Sequence, residues 1–373
     1  MDVYLDYNAT APLRPEAAAA MVSAHGLCGN ASSVHRFGRL ARRAVEDARE
    51  AIAAAVDASA AEIVFTSSGT EANNLALRGT GRPLFISAVE HDSVRGAGNG
   101  AGIIRVDQDG LVELPHLEEL LAAVDAPALV SVMLANNETG VVQPIDELVA
   151  QARRFGALIH CDAVQALGKI PVSFAALDVD MMTLSAHKLG GPQGVGVLIV
   201  RDSVDIAPLL RGGGQERSRR AGTENVAGIA GFGAAVAMTD QAVAETPALA
   251  RLRDDIEARI VAIAPDAVIY GAASPRLPNT SCIGLPGVSN EVQVMALDLA
   301  GVAISAGSAC SSGKLTPSHV LQAMGAGDDA AASAIRVSLG WQTSAADCDR
   351  FVEAWTRVAK RRARTELAER SVA

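Results

Sequence analysis

The sequence predicts an α/β protein: a large domain with a mostly parallel sheet, followed by a smaller C-terminal α/β domain. Three observations carry this. From about residue 60 to 200, short β-branched runs alternate with helix-like stretches, the pattern of strands joined by covering helices. A chain of 373 residues has the length of about two domains at roughly 150 residues each. Polar residues suited to chemistry recur just after the apolar runs, where open parallel sheets bind ligands.

The expected strands are residues 63–66, 84–87, 129–133, 158–160, 181–184 and 197–200. Thr70 follows the first, His91 the second, Asn137 the third and Asp162 the fourth, while Ser185, His187 and Lys188 follow the fifth. The run 226–238 is too short and glycine-rich to span a bilayer, which needs ~20 residues, and predicts a buried helix. Thr239-Asp240-Gln241 and Pro247 mark a boundary, with a charged helix beyond it over 251–256. Runs at 280–283, 302–305 and 335–339 supply a second set of strands, closed by a helix around 351–358.

A formal net charge of -10 and a pI near 5.2 disfavour nucleic acid or an anionic membrane as partner, since either needs clustered basic charge. Met1 to Asp6 shows no basic region leading into an apolar core, so no secretory signal is read. The expectation is a soluble, cytoplasmic protein. Five scattered cysteines (Cys28, Cys161, Cys282, Cys310 and Cys348) are unlike a disulfide framework and imply reduced thiols. There is no C-x-x-C pair, and adjacent His160 and Cys161 point to opposite faces of a strand, which disfavours a metal site.

Lys188 stands in Ser185-Ala186-His187-Lys188, on a turn closed by Gly190-Gly191-Pro192-Gln193-Gly194, where a Schiff-base lysine would sit. The S-x-x-K spacing here also fits penicillin-recognising acyl enzymes, but their companion motifs are missing. Ser67-Ser68-Gly69-Thr70-Glu71 lies at a strand-to-helix junction and reads either as a phosphate cradle or as plain capping by Ser68 or Thr70. Asp162, three residues before Gln165, would hold a pyridinium nitrogen or cap a helix from Ala163. His91 would stack on a ring, shuttle a proton or cap a helix at the surface. Cys310 sits among Gly307, Ser308, Ser311, Ser312 and Gly313, which leaves a thiol uncovered. An amine for a carbonyl cofactor and a nucleophilic thiol suggest covalent chemistry in two steps. Gly307 to Lys314 has five residues between its glycines and Leu315 after the lysine, so it fails as a P-loop. The stretch 211–225, with four arginines, reads as a mobile loop or as an arm reaching a neighbouring subunit's anionic ligand.

Together these motifs resemble the cysteine desulfurases of the NifS/IscS type, pyridoxal-phosphate enzymes of the class V aminotransferase family. The resemblance runs through Tyr4-Leu5-Asp6-Tyr7-Asn8-Ala9-Thr10, Gly29-Asn30-Ala31-Ser32-Ser33-Val34-His35, Gly69-Thr70-Glu71-Ala72-Asn73-Asn74, Asn136-Asn137-Glu138-Thr139-Gly140, the Asp162 and Lys188 segments, Arg220-Ala221-Gly222-Thr223-Glu224-Asn225, Cys310 and Ile335-Arg336-Val337-Ser338-Leu339-Gly340. It implies a fold-type I pyridoxal-phosphate transferase working as a homodimer, with a large cofactor-binding domain over 15–246. Residues 1–14 and 247–373 then make the small domain that carries the catalytic cysteine loop.

By the same resemblance Lys188 carries the cofactor as a Schiff base, Asp162 faces the pyridine nitrogen, Gln165 the ring oxygen, and His91 stacks on the ring. Gly69, Thr70, Ser185 and His187 hold the phosphate end, with Thr223 lent by the other subunit. Asn137 serves cofactor and substrate, while Arg336 and Asn8 lie on the substrate side. The implied reaction takes L-cysteine to L-alanine: Lys188 removes the α-proton, and Cys310 receives the sulfur as a persulfide. The sulfur then passes to an acceptor protein such as an iron–sulfur scaffold. Alternatives are a selenocysteine lyase or aminotransferase of the same fold, or a sulfur-delivery scaffold with little turnover. Cys28, Cys161, Cys282 and Cys348 are expected to be buried and inert. Three departures from the family pattern are Ala31 for the usual proline, Thr316 for a common glutamate, and the absence of an extended segment after the basic run 360–364. The last leaves the acceptor open.

Overall fold

The computed structural model describes residues 2–306 and 317–372. Seven strands form the central sheet, in the order Ile63–Thr66, Gly196–Val200, Met181–Ser185, Leu158–Asp162, Leu129–Met133, Leu84–Ser87 and Gly102–Ile104. Neighbours run parallel except at Gly196–Val200, which is antiparallel to the strands on both sides. The edge strand Gly102–Ile104 is not among the runs expected from sequence. It is only three residues long, and its glycine is required: a Cβ on Gly102 would lie 2.4 Å from the Phe85 ring.

Most inner strands are buried along their whole length, because helices cover both faces and remove any need for alternation. Polar side chains inside the sheet satisfy one another. His160 Nδ1 meets Ser131 Oγ at 2.9 Å and its Nε2 meets Thr183 Oγ1 at 2.9 Å. Burial pushes the His160 pKa down to about 3, so this ring is a neutral structural link.

The run 226–238 folds as the helix Val226–Val236, packed against Pro15–His25 and Arg36–Ala55. Small residues permit the approach: a Cβ on Gly231 would sit 2.6 Å from Met21 Cγ, and one on Gly233 2.8 Å from Ala48 Cα. No single helix among the described residues is long and apolar enough to cross a membrane. The expected boundary at 239–247 is instead the start of the helix Thr239–Ile263, with Pro247 inside it. Proline has no N–H for the carbonyl four residues back, and the Thr246 hydroxyl donates to that Val243 carbonyl at 2.8 Å instead.

Beyond this helix lies a four-stranded antiparallel sheet ordered Ser305–Ala306, Ala334–Ser338, Thr280–Gly284 and Val268–Tyr270. The N-terminal strand Val3–Tyr4 pairs in parallel with Val302–Ala303. Val3 and Leu5 join Ile256, Ile283, Phe351 and Trp355 in a hydrophobic cluster of their own, apart from the two that line the large sheet.

Two expectations need correction. Cys161, Cys282 and Cys348 are buried, but Cys28 is exposed, since it follows the helix Pro15–His25 in a glycine-flanked turn that no element covers. The segment 211–225 is pinned to its own chain rather than loose. Arg49 donates to the buried Glu216 carboxylate through both terminal nitrogens at 2.9 Å, and the Phe65 N–H adds a third bond at 2.8 Å. Arg217 bonds the Ala61 carbonyl, and Arg220 Nε meets Glu71 Oε1 at 2.8 Å.

Candidate active site

The parallel strands end at one edge of the sheet, and the polar residues there surround a cavity of about 290 Å³. Asp162 and Ser185 are the last residues of their strands, and Ala186–Lys188 forms one tight helical turn after Ser185. Gly69, Thr70, His91, Asn137, Asp162, Gln165, Ser185, His187, Lys188, Arg336 and Asn8 all line this cavity. Thr223 does not; it is exposed on the same chain. Cys310 lies outside the described residues.

At one end stands the helix Gly69–Gly79. Ser68 is its N-cap and accepts the Glu71 N–H at 3.1 Å, so capping falls to Ser68 and leaves Thr70 exposed in the first turn. The amides of Gly69 and Thr70 belong to that turn, whose N–H groups have no intrahelical acceptor. Gly69 keeps the approach open, since a Cβ there would press on Val164 Cγ2 at 3.1 Å. Buried Ser185 and half-buried His187 complete this end. His187 Nδ1 lies 3.2 Å from Thr10 Oγ1; burial, then the Lys188 charge, lowers its pKa to about 4.

Lys188 Nζ donates to the backbone carbonyls of Asn8 at 2.6 Å and Ala9 at 2.8 Å. Gln165 Nε2 donates to the same Asn8 carbonyl at 2.9 Å. The Asn8 side chain is taken up by protein: its Nδ2 donates to Thr280 Oγ1 and the Asn137 carbonyl, and its Oδ1 accepts from Lys169 and Asn279.

Asp162 is 5% exposed. Its Oδ2 accepts from Asn73 Nδ2 at 2.7 Å and its Oδ1 from the Val164 N–H at 3.0 Å. The segment after it forms turns, not the helix entertained from sequence. His91 is the N-cap of Asp92–Ala97 and contacts Ser93 through Nδ1, so it lines the cavity and caps a helix at once. Below Asp162, Glu90 is fully buried; burial, then the Asp162 charge, raises its pKa well above the usual range. Arg336 NH2 pairs with Asp6 Oδ1 at 2.8 Å and NH1 donates to the Asn137 carbonyl at 3.1 Å.

Sequence reasoning missed Asn73, Ser93, Glu90, Asp6 and Lys169. A signal existed for Lys169, the one charged residue between Asp162 and Asp178. Its Nζ donates to Gln165 Oε1 at 2.6 Å and Asn8 Oδ1 at 2.8 Å. It faces a second, mostly apolar cavity of about 250 Å³ behind Lys188.

The family model for class-V aminotransferases matches residues 3–351. The chain belongs to that family. Among class-V relatives, a cysteine desulfurase of Cereibacter sphaeroides is 44% identical over 367 residues, covering 94% of each chain. An IscS-like cysteine desulfurase of Mycobacterium tuberculosis is 39% identical over 385 residues, covering 98% of each. The X-ray structure of a NifS-like protein from Rickettsia africae superposes with a TM-score of 0.91 at 38% identity, covering 96% of this chain and 100% of that one.

The cofactor of this family is pyridoxal phosphate, and the donor set of the cavity fits it. An amine, a buried carboxylate with fixed partners and an amide line one pocket, with an open helix N-terminus beside a buried serine at its end. Such a terminus suits a phosphate. Asn73 Oδ1 is buried there with no hydrogen-bond partner among the described residues.

Proposed function

We propose that this chain is a cysteine desulfurase that converts L-cysteine to L-alanine and transfers the sulfur to Cys310. The observation that carries this reading is the convergence of Lys188, Asp162, Gln165, His91, Ser185 and His187 on one cavity, in a chain about 40% identical to named cysteine desulfurases. In this reading Lys188 holds the cofactor covalently, Asp162 pairs with the pyridine nitrogen, and Gln165 donates to the ring oxygen. His91, on the cavity wall, would stack on the ring. Gly69, Thr70, Ser185 and His187 hold the phosphate, with Thr223 contributed by the second subunit of a homodimer.

When bound, pyridoxal phosphate supplies an electron sink for the pair left behind as the α-proton departs. The chain does the rest. Arg336 presents its guanidinium to the substrate carboxylate beside Asn137, a planar fork suited to that group. Asn8 steadies this side by holding the Asn137 carbonyl. Lys188, once free, takes the α-proton as an amine base. The Cys310 thiolate attacks the substrate sulfur: a new S–S bond forms, the C–S bond breaks, and the carbon gains a proton to end as the alanine methyl. Cys310 keeps the sulfur as a persulfide for an acceptor such as an iron–sulfur scaffold. Residues 1–14 and 247–373 make up the smaller domain that carries Cys310.

The test is anaerobic turnover of L-cysteine with a reductant, measuring sulfide and alanine together. Equal amounts, lost in Cys310→Ala while the cofactor absorbance persists, are expected. Pyruvate as product, or activity unchanged in Cys310→Ala, would overturn the reading in favour of a lyase or aminotransferase.

A further inference from the structure

One buried amine beside the cavity has no part in the reaction described above. Lys169 is 9% exposed and donates to two acceptors, Gln165 Oε1 at 2.6 Å and Asn8 Oδ1 at 2.8 Å. Burial, followed by the charges of Lys188 and Arg336, pushes its pKa well below that of an ordinary lysine.

This arrangement settles which way the Gln165 amide points. Lys169 occupies Oε1, so the NH2 end is turned toward the Asn8 carbonyl at 2.9 Å and the cavity that Gln165 lines. The reverse orientation would set Gln165 Oε1 against the Asn8 carbonyl oxygen, two acceptors with no proton between them. Lys169 is not itself among the residues lining that cavity; it acts there through its hydrogen bonds to Gln165 and Asn8 and through its charge on Lys188 and Arg336.

We propose that Lys169 is a positioning residue that locks the Gln165 amide with its N–H donor, rather than its carbonyl oxygen, facing the cofactor ring. The inference rests on the reading of the cavity as a pyridoxal-phosphate site. Its consequence is electrostatic: a donor held at the ring oxygen stabilises that oxygen in its ionised form. Without Lys169 only the Asn8 carbonyl resists a turn of the amide, and the turned amide brings its oxygen inward, where it opposes ionisation.

The experiment is a pH titration of the absorbance of bound pyridoxal phosphate in the unmodified protein, Lys169→Met, Gln165→Leu and the double variant. Asp162, His91, His187, Lys188 and Arg336 set the background and are untouched by the substitutions. Lys169→Met is expected to raise the midpoint by about half to one pH unit, the worth of one net hydrogen bond. Gln165→Leu raises it at least as far, and the double variant matches Gln165→Leu alone. If Lys169→Met does not fold, Lys169→Gln and its double with Gln165→Leu carry the same comparison. An unshifted midpoint in the Lys169 variant, or a double variant showing the sum of the single shifts, overturns the inference and leaves the cofactor reading standing. An unmodified protein that gains no cofactor absorbance on addition of pyridoxal phosphate overturns that reading and the inference with it.

Discussion

Replacing Glu216 with alanine removes the centre of a buried charge pair that holds the edge strand Ile63–Thr66. The Glu216 side chain is 2% exposed and that of Arg49 7%. Burial by itself lowers the Arg49 pKa, but hydrogen bonding and charge from Glu216, with help from Glu46, reverse this to a net rise. A guanidinium is not deprotonated in proteins, so Arg49 stays cationic even when its partner is gone. Breaking a buried pair by deleting one member costs about 3–5 kcal/mol. Glu46, 3.2 Å away and half exposed, still offers some compensation and puts the expectation at the low end, about 3 kcal/mol. The Phe65 N–H also loses its acceptor, which adds about 1 kcal/mol. The total is about 4 kcal/mol, read from urea denaturation followed by circular dichroism. The double replacement Arg49→Met with Glu216→Leu leaves the Phe65 amide and the Ile63 carbonyl without their side-chain partners but no buried charge, and should recover about half of the loss. A deficit under about 1 kcal/mol for Glu216→Ala, or a double variant no more stable than the single, would refute this account of the loop.

Two further outcomes follow from the described geometry. His160 is held neutral, with a folded-state pKa of about 3 against an ordinary 6.5. As pH falls below the ordinary value, the unfolded chain gains a proton that the folded chain refuses, so stability drops by up to about 1.4 kcal/mol per pH unit. His160→Gln forfeits bonds to Ser131 and Thr183 at neutral pH, yet its deficit should shrink steadily on acidification; a deficit constant with pH, measured by urea denaturation, would contradict this. Arg336→Lys keeps the charge but loses the fork, and KM for cysteine should rise about 10- to 100-fold, with kcat less affected. A KM within about twofold of the parent in steady-state kinetics would remove Arg336 from the substrate.

Much of the site was legible because a parallel sheet delivers its strand ends to one edge. Asp162, Ser185 and Lys188 needed only the runs before them to be placed. What stayed hidden depends on long-range contacts. Lys169 acquires meaning only when Asn8, 161 residues away in sequence, folds against it, and Asp6 only when Arg336 arrives from 330 residues away. The same holds for 211–225, where glycines and arginines suggest mobility but a single buried glutamate fixes the loop on the helix Arg36–Ala55. The strand Gly102–Ile104 escaped notice because its key residue is a glycine chosen for the ring it must pass. The helix Thr239–Ile263 was divided because proline reads as a stop, and the Thr246 hydroxyl that offsets it leaves no trace in hydrophobic pattern.

The carbonyls that hold Lys188 belong to Asn8 and Ala9, and the Asn8 N–H is itself bound by Ser338 Oγ, a sequence separation of 330. On the ribosome, at about 5–20 residues per second, the first turn of the chain waits on the order of tens of seconds for the strand that anchors it. The central sheet is complete long before then. Ser338 and Arg336 therefore reach the pocket near the end of synthesis, so that newborn chains pass through a stage with a finished sheet and an unfinished pocket.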